Sequence, residues 1–239
     1  MIDTHAHLDA LDDDPADVVA RAREAGVARI LTVGGAEAVA IAERFDSVHA
    51  IVGVHPHESA DGDVAEIRRL QAHAKVVAVG EIGLDWYRDY APRDVQRGMF
   101  EAQLGLAAEL GKPVVIHTRA ADDDTLAALA GFDGVLVLHC FSSPRLLPAA
   151  LERGWYVSFA GNVTYKNAPD LRVAAAQVPA DRILAETDSP YLAPQPVRGR
   201  RNEPAYVVHT LAALAAARSE DVDELADRID RNANACFGL

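Results

Sequence analysis

The chain has 239 residues, of which 50% are hydrophobic, and a formal net charge of −13 at pH 7. This length is suited to one large domain with a substantial core. The acidic balance excludes an extended basic groove for duplex nucleic acid, but it leaves open a small site where metal ions and a few arginines meet one phosphate.

Short apolar, β-branched runs alternate with stretches of helical periodicity, as in a parallel α/β fold. The runs predict strands over Ile2–His7, Ala28–Val33, Ala50–His55, Val76–Ile82, Val114–His117, Val135–His139, Trp155–Phe159 and Ile183–Asp188. Helices are predicted over Asp14–Ala25, Ala36–Phe45, Val64–Ala74, Arg93–Leu110, Asp122–Ala130, Pro144–Arg153 and Pro169–Ala176, with two more within Pro204–Leu239. Eight such units predict a single (β/α)8 TIM barrel domain over residues 1–239 with extra C-terminal helices. A doubly wound open sheet is the alternative, although no Gly-x-Gly-x-x-Gly follows the first strand.

The sequence indicates no membrane or secretory segment. Apolar runs are short, and the first residues hold His5, His7 and Asp9 where a secretory signal would be apolar. Cys140 and Cys236 match no disulfide framework, zinc ribbon or redox motif. We therefore expect a cytoplasmic protein that contacts no membrane and needs no obligate protein partner. Cys140 follows a strand-end histidine in the alternating pattern and is expected to face outward.

Polar residues interrupt the predicted strands at their C-terminal ends. His5-Ala6-His7 ends the first strand, and residues i and i+2 point to one face about 6.6 Å apart, so both imidazoles can bind one cation. The others are Glu81, His117, His139 and Asp188. Each alone is more often a hydrogen-bonded structural residue or a salt-bridge partner. Six on the rim where barrel active sites form indicate a metal centre, because buried charged or polar groups are costly unless paired.

Four His, one Glu and one Asp suit Zn²⁺, Mn²⁺, Fe²⁺ or Co²⁺ and tolerate Mg²⁺. Six ligands are more than a single catalytic ion with an open coordination position binds. Two ions about 3.5–4 Å apart fit this number of ligands better. Glu81 is the best-placed bridge. The three lysines, Lys75, Lys112 and Lys166, lie before strands or beyond strand seven, too far to bridge. We expect one ion on His5, His7, Glu81 and Asp188, and the other on Glu81, His117 and His139.

Further residues are candidates for substrate binding. His55 and His57 end the third predicted strand and could ligate metal, but phosphate contact or support of the ligands is favoured; a turn fixed by Pro56 is the alternative. Arg119 is placed for a bidentate phosphate contact, with a salt bridge to an acid as the alternative.

The loop after the eighth strand is the densest positive patch of the chain. It is predicted to contact a nucleic-acid backbone. The alternatives are a solvated arginine loop or a loop that is ordered by an ion pair between Glu203 and an arginine. Its candidate residues are Arg200, Arg201, Asn202 and Glu203. Trp86, Tyr87 and Tyr165 could stack on a terminal base, although aromatic residues at loop starts more often pack.

An ordered set of motifs carries a resemblance to a known family. The motifs are Ile2–Leu8, Gly53–His57, Gly80–Asp85, Ile116–Arg119, His139–Phe141, Thr187–Pro194, Arg200–Pro204 and Asn232–Leu239. They resemble the TatD family of metal-dependent deoxyribonucleases, within the amidohydrolase-like barrels. The resemblance implies the same six ligands and hydrolysis of phosphodiester bonds, typically from a 3′ end of DNA or RNA. Ser143 and Trp86 depart from the family pattern beside the rim and bear on substrate preference.

The sequence therefore predicts a nuclease that binds the end of a single strand of DNA or RNA. Two metal ions would activate water, with Glu81 and Asp188 as catalytic residues and Asp188 orienting the water or accepting its proton. No nucleophilic Ser or Cys has its own base, so no covalent intermediate is expected. The alternatives are hydrolysis of a small phosphomonoester, lactone or amide on the same binuclear site, or a metal-stabilised scaffold without turnover.

Overall fold

The computed structural model describes residues 1–88 and 90–239. Eight parallel strands form one sheet in chain order: β1 (Ile2–Ala6), β2 (Arg29–Gly34), β3 (Val48–Val52), β4 (Val76–Asp85), β5 (Val114–Arg119), β6 (Leu136–Leu138), β7 (Tyr156–Phe159) and β8 (Ile183–Ala185). The helices in this part of the chain are α1 (Pro15–Glu24), α2 (Ala36–Arg44), α3 (Val64–Leu70), α4 (Arg93–Leu110), α5 (Asp122–Leu129), α6 (Leu147–Arg153), α7 (Pro169–Gln177), α8 (Val207–Arg218) and α9 (Val222–Phe237). The sequential strand order confirms the predicted TIM barrel, and α8 and α9 are the two helices predicted within Pro204–Leu239.

The barrel closes where β1 and β8 end. Ala6 forms a parallel bridge with Ser189. The backbone N–H of His7 donates to the carbonyl of Ser189 at 2.7 Å, and the N–H of Asp188 donates to the carbonyl of His5 at 2.9 Å. The closing hydrogen bonds therefore hold three of the predicted ligands side by side.

Asp3, a fully buried residue of β1, strengthens this closure. Its carboxylate accepts hydrogen bonds from the backbone N–H of Thr187 at 2.8 Å and from the Thr187 hydroxyl at 2.5 Å. It also accepts from the N–H of His5 at 3.3 Å. One side chain thus joins the first strand to the segment that follows the last.

The strand β4 is longer than predicted and continues past Glu81 to Asp85. The pairing with β5 shifts register between Gly80 and Ile82, so Glu81 lies at an irregularity inside the strand and does not end it. A Cβ on Gly83 would lie 1.9 Å from the carbonyl oxygen of His117. Only glycine permits this approach of β4 to β5, which brings Glu81 and His117 together.

Other predicted rim residues lie just beyond shorter strands. β6 ends one residue before His139, and β8 ends three residues before Asp188. His55 and His57 follow β3 at a 3₁₀ turn, Pro56–Glu58. Positive φ angles at Cys140 (44°) and Asp188 (55°) turn the chain out of the extended conformation there.

The parallel strands are covered on both faces. All residues of β1 and β7 are buried, as expected for a sheet surrounded by helices. The last helix, α9, packs against β8 and β1, while α8 packs against α7. Among the described helices, none combines the length and apolar character that a membrane crossing requires.

Asn232 on α9 offers a test of how that helix is fastened to the barrel. Its buried side-chain amide donates to the carbonyls of Ala180 at 2.9 Å and Ile183 at 2.8 Å. We predict that Asn232→Ala lowers the free energy of unfolding by about 1–3 kcal/mol, because two carbonyls lose their donor. Urea unfolding measures the change. The exposed Asn167→Ala is the control, with a change below about 0.5 kcal/mol; equal losses in both variants would contradict the prediction.

Candidate metal centre

The buried carboxylate of Glu81 lies among imidazoles contributed by several strand ends. Its Oε2 is 3.3 Å from Nε2 of His5 and 3.7 Å from Nε2 of His7. Nε2 of His7 is also 3.6 Å from Oδ1 of Asp188. The four residues predicted for one ion therefore lie together.

The second oxygen of Glu81 faces a different set of rings. Its Oε1 is 2.6 Å from Nδ1 of His117 and 3.0 Å from Nε2 of His139. It is also 3.4 Å from Nε2 of His55. Oε2 of Glu81 therefore faces His5 and His7, while Oε1 faces His117, His139 and His55. Ligand atoms of His5, His139 and Asp188 also lie within 4.8 Å of one another, so the assignment of the ligands to two ions stays a prediction.

Outer carboxylates orient the rings of His139 and His117 so that one nitrogen of each ring faces Glu81. Nδ1 of His139 is 2.9 Å from Oε1 of Glu186, and Nε2 of His117 is 3.2 Å from Oδ2 of Asp85. A carboxylate accepts, so these outer nitrogens carry protons, and the inner nitrogens, which face Glu81, donate to it while no cation is bound. A cation at Glu81 would take the place of the inner protons and would leave each neutral ring protonated only on its outer nitrogen. This arrangement of carboxylate and imidazole is typical of metal-ligating histidines.

His55 has the opposite arrangement. Its Nδ1 accepts from the backbone N–H of His57 at 3.1 Å, so the neutral ring carries its proton on Nε2, the atom that faces Glu81. In this tautomer His55 is a hydrogen-bond donor at the edge of the centre, although its ligand atom lies within 4.8 Å of those of Glu81 and His117. His57 uses its Nε2 proton on Oδ2 of Asp85 at 2.8 Å, which leaves its Nδ1 as an acceptor. Of the two, only His55 presents an N–H for a phosphate oxygen.

Two buried carboxylates, Asp85 and Glu186, hold these histidines in position. Neither was among the residues predicted from the sequence. Asp85 accepts from His57 and His117 and, through Oδ1, from the backbone N–H groups of Tyr87 and Arg88 at 2.9 Å each. Glu186 accepts from His139. The available signal was spacing, since Asp85 follows Glu81 by four residues in the same motif and Glu186 precedes Asp188 by two.

The charges of the centre fit a bound cation. Burial, aided by repulsion from His139, lowers the pKa of His5, so that its ring stays neutral as a metal ligand must. Neither ring nitrogen of this buried histidine forms a hydrogen bond within the described part of the chain. A metal ion would supply the missing partner.

The carboxylates of the centre attract positive charge. Burial lowers the pKa of His139, but Glu81 and Glu186 outweigh it and raise that pKa well above its ordinary value. Burial raises the pKa of Glu81, yet the charges of His139 and His55 and the hydrogen bonds from His117 and His139 bring it well below its usual range. A divalent cation satisfies the same electrostatic demand that otherwise protonates the rings.

Cys140 does not face outward as predicted. Its sulfur lies within 4.8 Å of ligand atoms of both His139 and Glu186. The left-handed backbone at Cys140 breaks the strand alternation on which the prediction relied. Burial and the carboxylates of Asp188 and Glu186 raise the pKa of the thiol well above its usual value, which disfavours the nucleophilic thiolate.

The candidate substrate residues fall into two groups. Arg119 is exposed, with its guanidinium carbon 3.9 Å from the centroid of the Tyr87 ring, and no described carboxylate lies within salt-bridge distance of it. Arg200 is also exposed. Phosphate contact by these two arginines stays a prediction. Trp86 and Tyr165 are packed, since the Trp86 indole donates to Asp124 and the Tyr165 hydroxyl to the carbonyl of Ala193.

The other three loop residues have structural partners. Asn202 is 1% exposed and donates to the carbonyls of Thr187 and Tyr191, so its amide holds the loop in place, and its contact with substrate stays a prediction. Glu203 accepts from Arg21 at 2.8 Å, which matches the alternative of a loop ordered by an ion pair. Arg201 pairs with Asp12. Burial and long-range pairing of these residues depend on the fold and not on local sequence.

A family model described as "TatD related DNase" matches residues 2–238. The chain belongs to the TatD family of metal-dependent hydrolases. It is 38% identical to an uncharacterized metal-dependent hydrolase, YabD, of Bacillus subtilis, with 100% of this chain and 99% of that protein covered. It is 40% identical to a protein of Pantoea ananatis named 3'-5' ssDNA/RNA exonuclease TatD, over 95% and 94% of the two chains. The crystal structure of the TatD homologue YjjV from Escherichia coli matches with a TM-score of 0.92 and 30% identity, covering 100% and 98%.

The tautomers of this TatD-family centre give a test of which histidines bind metal. We predict that His139→Ala lowers the amount of metal retained after dialysis, because it removes an imidazole that would bind metal beside Glu81. His55→Ala should retain the wild-type amount, because that ring presents a proton. Metal per chain is measured by elemental analysis. Equal losses in the two variants would show that the assignment of the tautomers is wrong.

Proposed function

We propose that this TatD-family hydrolase cleaves phosphodiester bonds of nucleic acid and removes nucleotides from the 3′ end of single-stranded DNA or RNA. The observation that carries the proposal is a buried carboxylate between two sets of imidazoles, with Asp188 and the N–H of His55 beside it. The name of the Pantoea relative, at 40% identity over nearly the whole chain, supports the choice of substrate.

Two divalent ions would be held by His5, His7, Glu81 and Asp188 on one side and by Glu81, His117 and His139 on the other. Such ions would supply Lewis-acid activation of water and would neutralise charge that develops on the phosphoryl oxygens. Glu81 would be the shared ligand, because the lysines have other positions. Lys75 and Lys112 donate to carbonyls at the N-terminal ends of β3 and β4, and Lys166 is exposed.

Asp188 is the group that orients the attacking water and takes its proton. Burial raises the pKa of this carboxyl, but the hydrogen bond from His7 and the charges of His139 and His7 lower it below its usual value. Asp188 is therefore ionised at neutral pH and able to accept a proton. The Nε2 proton of His55 can donate to a phosphoryl oxygen, and Arg119 and Arg200 can contact the flanking backbone.

Glu81 gives the most direct test of the centre. We predict that Glu81→Gln weakens metal binding, because a neutral amide is a poor ligand for two cations. The loss should exceed the roughly 10–100-fold loss that is typical when a residue hydrogen-bonded to a metal ligand is replaced. Turnover should be lost with it. Isothermal titration with Mn²⁺ and hydrolysis of bis-p-nitrophenyl phosphate measure the two effects. Glu101→Ala, an exposed glutamate on α4, is the control that should match the wild type. An active Glu81→Gln protein would overturn the assignment.

A time course on end-labelled oligonucleotides tests the nuclease proposal. We predict that 3′-labelled single-stranded DNA loses its label first, while 5′-labelled DNA shortens stepwise, and that a chelator stops both. Loss of the 5′ label first would reverse the direction. No cleavage with Mn²⁺, Zn²⁺, Mg²⁺, Co²⁺ or Fe²⁺ would overturn the nuclease proposal, and p-nitrophenyl phosphate, lactones and amides would then be assayed.

A further inference from the structure

Two largely exposed tyrosines follow β4 near the metal centre. Tyr87 is 64% exposed and Tyr90 is 63% exposed. The guanidinium of Arg119 covers one face of Tyr87 at 3.9 Å, and that of Arg88 lies 5.8 Å from the centroids of both tyrosine rings. Arg88 also donates to the Tyr90 hydroxyl at 2.9 Å. These four residues, Tyr87, Arg88, Tyr90 and Arg119, are called the tyrosine–arginine wall.

The wall is attached to the centre through Asp85. One oxygen of this carboxylate accepts from the backbone N–H groups of Tyr87 and Arg88, and the other accepts from His57 and His117. The ring of Tyr90 lies edge-on to that of His57, with 4.8 Å between centroids. The wall therefore begins at the histidines around Glu81 and continues onto the exposed surface.

The chemistry of the wall fits unpaired bases. Exposed aromatic rings stack on the faces of bases, and each stack contributes about 1–3 kcal/mol without regard to sequence. The neighbouring guanidiniums suit the phosphates that join successive bases. These positive charges stand out on a chain with a net charge of −13. In a duplex the bases stack on one another, so a single strand is the form that leaves base faces free for the tyrosines.

We propose that the tyrosine–arginine wall is a stacking subsite for the bases next to the scissile phosphate of a single strand. This inference rests on the proposed function, since it takes nucleic acid as the substrate. Tyr87 stacks a base on the face that Arg119 leaves open, and Tyr90 stacks a base closer to the metal centre. Because stacking ignores base identity, the subsite selects single strands over duplexes without selecting a sequence.

The test measures binding without cleavage. The metal-loaded full chain is titrated into a labelled, phosphorothioate-linked single strand, and in parallel into an abasic strand of equal length and charge at the same ionic strength. We predict that Tyr87→Ala and Tyr90→Ala each weaken binding of the intact strand about tenfold and leave binding of the abasic strand within twofold. Tyr87→Phe keeps the ring and should bind as the wild type does. Val173→Ala, at a 58% exposed residue of α7, is the surface control.

The outcomes separate the wall from the nuclease proposal. A wild type that binds intact and abasic strands equally, or that binds neither, overturns the wall, as do alanine variants that bind the intact strand normally. Cleavage of oligonucleotides by those same variants with unchanged affinity would leave the nuclease proposal standing. Base-dependent binding that is lost in Tyr87→Ala supports the wall even if no oligonucleotide is cleaved. Metal content and the urea midpoint confirm that each variant is folded.

Discussion

The structure of the site depends on one buried negative charge. The Glu81 carboxylate is only 4% exposed, so its charge must be compensated by the groups that surround it. Five imidazole nitrogens lie within 3.7 Å of its two oxygens. Since metal ligation requires neutral imidazoles, cations at this carboxylate and protons on the rings are competing ways to provide the same compensation. With cations bound, the imidazole rings stay neutral and their lone pairs are the metal ligands.

Backbone geometry brings Glu81 to that position. The Gly83 contact lets β4 approach β5 closely, and the register shift beside Glu81 allows the strand to continue to Asp85. The closure of the barrel performs the corresponding task on the other side, because the hydrogen bonds between His5, His7, Asp188 and Ser189 also close the sheet. Fold and site therefore share the same interactions, and a change that opens the barrel at β1 and β8 also disperses one set of ligands.

A second layer of carboxylates gives similar histidines different roles. Glu186 and Asp85 take the outer protons of His139 and His117, whereas a backbone N–H occupies the outer nitrogen of His55. The same Asp85 begins the segment that carries Tyr87 and Tyr90. Positioning of a metal ligand and presentation of exposed aromatic rings thus meet at one carboxylate, and this coupling links the chemistry of the centre to the surface beside it.

The sequence alone determined the barrel and the six candidate ligands, because strand and helix periodicities are local and polar residues at strand ends interrupt apolar runs. It did not reveal Asp85 and Glu186 as positioning residues or the inward turn of Cys140, since these depend on a left-handed residue and on contacts between strands. The partners of Asn202 and Glu203, and the division between ligating and donating histidines, were decided only by the tertiary structure. The physical reason is that the atom in contact with a side chain decides its tautomer or its ion pair. For most of these groups, that contacting atom belongs to a residue far away along the chain.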